Sequence, residues 1–256
     1  MDKYEYKLKL EQIEKLVEKK DFAIAARIAD EIDWHKIKDA ETLNAIADLY
    51  ENAERLDECM VILNVLYEQS KVRRRVVYRM TEVAAGMNDL ERAKELYDEY
   101  VRLAPNNSGK YLLEYRIGRA EGQSADTLIG LLEEYKSREY DDCWAYELAC
   151  LYEEVGEIDK CVEACDELAL WFGEGVYVTK ALELKMKYRE LTATQQEKYE
   201  RRFETLQEEE EEPEVENISS EEQPDENDES EEEPPELEEL QPEESEETEE
   251  EETSDE

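Results

Sequence analysis

Apolar and small residues recur along the first two thirds of the chain in stripes spaced three, four and three residues apart, and the stripes themselves recur every 34 residues. One stripe is anchored on Ala25, Cys59, Ala93, Thr127 and Cys161. Three residues before these rungs stand Phe22, Leu56, Leu90, Ser124 and Ile158. Four after come Ala29, Leu63, Tyr97, Leu131 and Cys165, and seven after come Ile32, Leu66, Tyr100, Glu134 and Leu168. That spacing puts side chains on one face of an α-helix. A second stripe lies twelve and nine residues before the rungs, at Ile13 and Leu16, Ala47 and Tyr50, Thr81 and Ala84, Tyr115 and Gly118, Ala149 and Tyr152. Between the stripes sits a turn, written Lys20-Asp21, Glu54-Arg55, Asn88-Asp89, Gly122-Gln123 and Gly156-Glu157. Asp21 and Asp89 are placed to cap the helix that follows, since a short side-chain oxygen accepts from the free N–H groups of a first turn. Each period predicts a helix, a turn and a helix, and a constant period marks an array of stacked units.

The units MNDLERAKELYDEYVRLAP (87–105) and ELACLYEEVGEIDKCVEACDELA (147–169) carry the small residues, the turn and the aromatic or aliphatic positions, and Pro105 ends one unit. In these features the chain resembles the tetratricopeptide repeat (TPR) family over roughly residues 6 to 175. The resemblance implies an all-α fold, a right-handed helix-turn-helix solenoid of about five TPR units plus C-terminal capping helices. The fourth unit departs most, with Gly118 where an aromatic is usual and Ser124, Thr127 and Glu134 on packing rows. Its register is either the common one or one residue later, on Leu128, Leu132 and Tyr135.

Three regions follow: five tandem TPR-like pairs over 1–175, capping helices over 176–206, and a Glu-rich segment over 207–256. In the second region Val178, Ala181, Leu182 and Met186 form an apolar side against Lys180, Glu183, Lys185 and Lys187, and Thr194 with Glu197 has the capping-box spacing for a last helix ending near Leu206. The third region holds 29 Asp or Glu, no Lys or Arg, and five of the six prolines, leaving −14 of the −43 net charge to residues 1–206. Too few apolar residues are present there to offset ordering entropy, so disorder is expected. Such a tail serves as a spacer or electrostatic modulator. Alternatively it binds basic proteins as a polyanion, in a chaperone-like role, or masks the chain's own arginine-lined groove.

The single histidine, His35 beside Trp34, has no Ser or Cys near it in a nucleophile–base pattern, and no Gly-rich phosphate loop is present, so no enzyme is expected and no cofactor. Three of the five cysteines fall on packing positions as small hydrophobes, with no Cys-x-x-Cys spacing, so no metal is expected. No apolar run of membrane-spanning or signal-peptide length appears, which points to a cytoplasmic protein without membrane contact. The net charge opposes nucleic acid.

The resemblance implies function through the first helices of the pairs, which line a concave side in such solenoids. Residues there not spent on packing are Asn44, Asp48, Arg75, Tyr78, Arg79, Leu112, Arg116, Arg119, Tyr146, Cys150 and Lys180. The expected role is a protein–protein interaction scaffold or adaptor with a protein or peptide partner. Some family members clamp the carboxylate of chaperone tails with Lys, Asn, Asn, Lys and Arg. Arg75 and Arg79 match the last two places, whereas Leu10, Glu14 and Ala45 occupy the others. Two readings of the arginines remain. Either they hold an acidic or carboxylate-bearing ligand, for which the planar guanidinium is suited, or they pair with Glu82, Glu114 and Glu121 on neighbouring turns.

Overall fold

The computed structural model describes residues 3–70 and 73–210, with side chains over 4–70 and 73–201. Among the described residues twelve α-helices follow one another: α1 (Lys3–Glu18), α2 (Phe22–Ala29), α3 (Ala40–Asn52), α4 (Leu56–Gln69), α5 (Arg73–Gly86), α6 (Leu90–Leu103), α7 (Gly109–Glu121), α8 (Ala125–Lys136), α9 (Asp142–Glu154), α10 (Ile158–Phe172), α11 (Val176–Met186) and α12 (Ala193–Glu210). A 3-10 turn at Trp34–Lys36 joins α2 to α3, and no strand occurs among the described residues. Helices pack chiefly against their neighbours in sequence, as expected of stacked pairs that cannot bury an apolar face alone.

The turns repeat as faithfully as the helices. Lys20, Glu54, Asn88, Gly122 and Gly156, each 34 residues apart, all adopt positive φ, between 58° and 81°. At each, its own N–H reaches back three residues and the next N–H reaches back five, as in Asn88 N to Ala85 O (3.0 Å) and Asp89 N to Ala84 O (2.9 Å). This closes the last carbonyls of the first helix in a Schellman arrangement. The next residue then starts the second helix, and the expected caps form: Asp21 accepts from Ile24 N at 3.3 Å and Asp89 from Arg92 N at 3.2 Å.

The fourth unit breaks this timing by one residue. After Gly122 comes Gln123, and only then the cap Ser124, which accepts from Thr127 N at 3.4 Å. The longer turn shifts the stripe, so Thr127 and Glu134 are exposed while Leu128, Leu132 and Tyr135 are buried. The later register is the one observed. Gly118 is part of the same adjustment, because a Cβ there would lie 2.9 Å from Gln123 Oε1 and 3.0 Å from Leu128 Cδ2.

Elsewhere the rungs Ala25, Cys59, Ala93 and Cys161 are fully buried, with Ala29, Leu63 and Cys165 beside them. The buried residues form two clusters that meet at α7, where Leu113 and Ile117 join the first and Leu112 and Tyr115 the second. Burial pushes the Cys59 thiol up to about 11, which leaves it a packing residue rather than a nucleophile.

The C-terminal helices differ from the expected arrangement at two places. Met186 is exposed, and Lys185 takes the buried position that Leu151 holds 34 residues earlier, at 4 % exposure. Its ammonium bonds Asp166 Oδ1 at 2.5 Å and Gln195 Oε1 at 2.9 Å, tying α10, α11 and α12 together. The capping box is Thr192 with Gln195, two residues before the expected Thr194 and Glu197. Thr192 N donates to Gln195 Oε1 (3.1 Å) and Gln195 N to Thr192 Oγ1 (3.4 Å). Helix α12 continues four residues past Leu206, to Glu210. The rest of the Glu-rich segment, residues 211–256, lies outside the described residues, and with it the expectation of disorder.

Candidate functional site

The first helices α3, α5, α7 and α9 lie side by side, and charges on their shared face pair about one period apart in sequence. Arg79 on α5 reaches Asp48 Oδ1 (2.5 Å), Glu51 Oε2 (3.2 Å) and Asn44 Oδ1 (3.3 Å) on α3. Arg116 on α7 reaches Glu82 Oε1 on α5 at 3.0 Å and lies 5.3 Å from the Trp144 ring of α9. Arg119 meets Glu154 at 3.2 Å and Glu147 at 3.7 Å, both on α9, and Lys187 meets Glu153 at 3.0 Å across the next gap. Burial holds the Glu82 carboxyl above its ordinary range, partly offset by Arg116.

Of the expected pairings, Arg116 with Glu82 is present. Glu114 instead accepts from the Tyr97 hydroxyl at 3.0 Å, and Glu121 pairs with Lys94. The other anticipated face residues divide along the row. Asn44 also donates to Ala40 O of its own helix (2.7 Å). Tyr146 lies 6.0 Å from Tyr177, with the exposed Lys180 ammonium 5.9 and 5.1 Å from the two rings. Cys150 is half-buried, and Leu112 belongs to the core, so it offers a floor rather than a free face.

Arg75 behaves differently from the other three arginines. It is exposed, as is Arg74, and neither makes an ion pair among the described residues. They open α5 behind Arg73, whose guanidinium rests 4.6 Å from the Tyr67 ring. Three arginines and no acid in the first turn oppose the positive end of the helix dipole, at a cost of roughly 0.3–1 kcal/mol per charge. The first turn of α7 carries no acid either. Between these two helix starts lies a hollow of about 420 Å³, walled by Arg74 and Arg75 and floored by Tyr78, Tyr100, Leu112 and Tyr135. Tyr78 and Tyr100 meet edge to face at 5.4 Å, and Gly109 packs against them where a Cβ would lie 2.9 Å from Asn107 Oδ1 and 3.0 Å from both the Tyr100 hydroxyl and Tyr78 Cε2. The one carboxylate on the wall, Glu139, accepts from Ser108 and, at 3.4 Å, from Tyr135. A second hollow of about 530 Å³ lies further along the face, between Glu82, Gly86, Arg116, Arg119, Trp144 and Glu147.

Trp144 is a site residue absent from the sequence reading, while Arg74 stands in it only as part of the basic run Arg73-Arg74-Arg75 and Tyr135 only as a packing residue. The signal for the ion-pair ladder was available in the 34-residue lattice, where Arg119, Glu153 and Lys187 occupy one row. His35 has its side chain 69 % exposed beside Asp33, while Trp34 is buried and donates to Ala29 O at 3.1 Å. Among the described residues no His, Cys, Asp and Glu group is arranged to hold a metal ion, and no helix is long and apolar enough to cross a membrane.

No protein-family model matches the chain, and no curated protein does. Solved structures do. A tetratricopeptide repeat protein from Parabacteroides merdae is 12 % identical, over 76 % of this chain and 83 % of that one, with a TM-score of 0.52. A thermophilic TPR protein from Thermus thermophilus is 14 % identical, over 71 % and 96 %, with a TM-score of 0.52. Likeness at such identities is likeness of fold, and it agrees with the period, the turns and the packing: the chain folds as an all-α tetratricopeptide-repeat solenoid.

Proposed function

We propose that the chain is a non-catalytic scaffold that holds a protein or peptide partner on the face of α5, α7 and α9, with an acidic stretch of the partner seated at Arg74 and Arg75. One observation carries this reading. In a chain with 74 acidic residues, Arg79, Arg116 and Arg119 are each matched to carboxylates, whereas Arg74 and Arg75 have none among the described residues and sit on the rim of an aromatic hollow. Exposed guanidiniums at an unfavourable helix end lower the stability of the free protein, and carboxylates from outside would relieve that cost while gaining paired hydrogen bonds. The carboxylate ligand is thus assigned to the edge of the face, away from the middle of the arginine row. The Glu-rich residues 207–256 act in this reading as an electrostatic modulator whose influence falls with salt.

Affinity capture with the full chain tests the proposal. Partners held by the wild type should be lost on Arg74→Glu with Arg75→Glu, and reduced on Trp144→Ala. Unchanged capture by both variants, with their helical content intact, would remove the face as the binding surface.

A further inference from the structure

The corner where α10 turns into α11 carries the most exposed apolar side chains of the described residues apart from Tyr4. Leu170 is 79 % exposed, Trp171 70 % and Val176 66 %. They flank Gly173 and Gly175, both at positive φ, which turn the chain there within three residues. This corner belongs to neither hollow on the α5–α7–α9 face.

Beside the protruding side chains is a depression. Tyr140 stacks on Phe172 at 5.4 Å and meets Trp171 edge-on at 6.3 Å, and these rings with Lys136 and Glu167 enclose about 410 Å³ of open space. The Tyr140 hydroxyl is buried there with no hydrogen-bond partner among the described residues, a costly arrangement for a polar group taken from water. Charge at the corner is internally balanced. Lys136 pairs with Glu167, and Glu174 in the link pairs with Arg201 at 3.2 Å.

We infer that this corner is a homotypic interface, in which Leu170 and Val176 of one copy enter the Tyr140–Phe172 depression of another. Two features select a second copy as the occupant. A two-fold contact requires one surface to carry both the projection and its receptor, and this corner does. Charges already neutralised in place give no hold to a basic or acidic partner, yet they let two copies of a chain of net charge −43 meet here without opposed carboxylates. Contiguous exposed apolar surface of this kind marks contact sites in soluble proteins.

Apolar contact between like-charged molecules has a distinctive salt dependence. Raising salt screens the repulsion and leaves the contact, so association strengthens, the reverse of an interface held by ion pairs. Sedimentation equilibrium of the full chain, from micromolar to millimolar, should therefore show a dimer that is more populated at about 0.5 M than at about 0.05 M salt, where the Debye length exceeds roughly 10 Å. Leu170→Ser with Trp171→Ser should weaken dimerisation by about tenfold or more. Both side chains are exposed in the single copy, so circular dichroism of that variant should match the wild type. Val155→Ser, an exposed apolar change elsewhere, should leave the dimer intact. A chain that stays monomeric at millimolar concentration overturns the inference, as does a dimer indifferent to the double substitution. A monomer that loses a different protein on Trp171→Ser also overturns it, and assigns the corner to that protein.

Discussion

At the residue scale, the five turns separate what geometry requires from what the sequence supplies. Gly122 and Gly156 take their left-handed conformation without strain, whereas Lys20 and Glu54 hold the same φ with a side chain attached, and Asn88 is intermediate by chemistry. Glu54→Gly should therefore stabilise the fold by about 0.5–1 kcal/mol, since relief of left-handed strain exceeds the entropy glycine adds to the unfolded chain. Gly156→Ala should destabilise it by about 0.5–1 kcal/mol, the same balance in reverse, read in urea unfolding. A lowered midpoint for Glu54→Gly would contradict the turn assignment. The caps Asp21 and Asp89 were legible because a cap is local, but the choice of Thr192 over Thr194 depends on where the preceding turn ends, which packing of Lys185 decides.

Acidic residues also set the pH response. Asp39 is held below its ordinary value by Thr42, and Glu121 by Lys94. At Glu153 burial raises the carboxyl, but Lys187 and Tyr188 outweigh it and the net direction is down. Each releases its proton more readily folded than unfolded, so its stabilisation is complete above about pH 5 and disappears as pH falls through the folded values. Glu82 acts oppositely, since burial raises its carboxyl and the protonated form suits the fold better. The depressed set is larger, so Tm should fall between about pH 5 and pH 3, and fall less steeply in Glu121→Gln. A Tm indifferent to pH in that range would contradict the pairings.

At the element scale, the fourth pair shows where a periodic sequence misleads. The lattice nominates Thr127 as a rung, but one added turn residue passes that role to Leu128. Leu128→Ala should cost about 2–5 kcal/mol, while Thr127→Ala should stay within about 0.5 kcal/mol. Equal costs would mean the shift is absent. Periodicity made the helices of the other units readable, because their apolar faces repeat. Turn length in unit four was not readable from it, because Gly122-Gln123-Ser124 is compatible with a helix starting at either of two residues.

Across the whole molecule, charge is organised along the stack rather than along each helix. Side chains 28 to 35 residues apart meet where first helices lie side by side, as in Arg79 with Glu51 and Arg119 with Glu154. The arginine row is visible in the sequence, but its carboxylate partners stand about one period away rather than on neighbouring turns. Only the stacking of helices brings a carboxylate from the next unit into reach, and it leaves Arg74 and Arg75 without one among the described residues. The most direct test of the account is the anisotropy of a fluorescein-labelled hexaglutamate titrated with the full chain. Binding should weaken with salt, drop by about tenfold in Arg74→Glu with Arg75→Glu, and fall by a smaller factor in Arg75→Lys, which keeps the charge but loses the planar fork. Absence of salt-sensitive binding to the wild type, or equal affinity in the charge-reversed variant, would contradict the account.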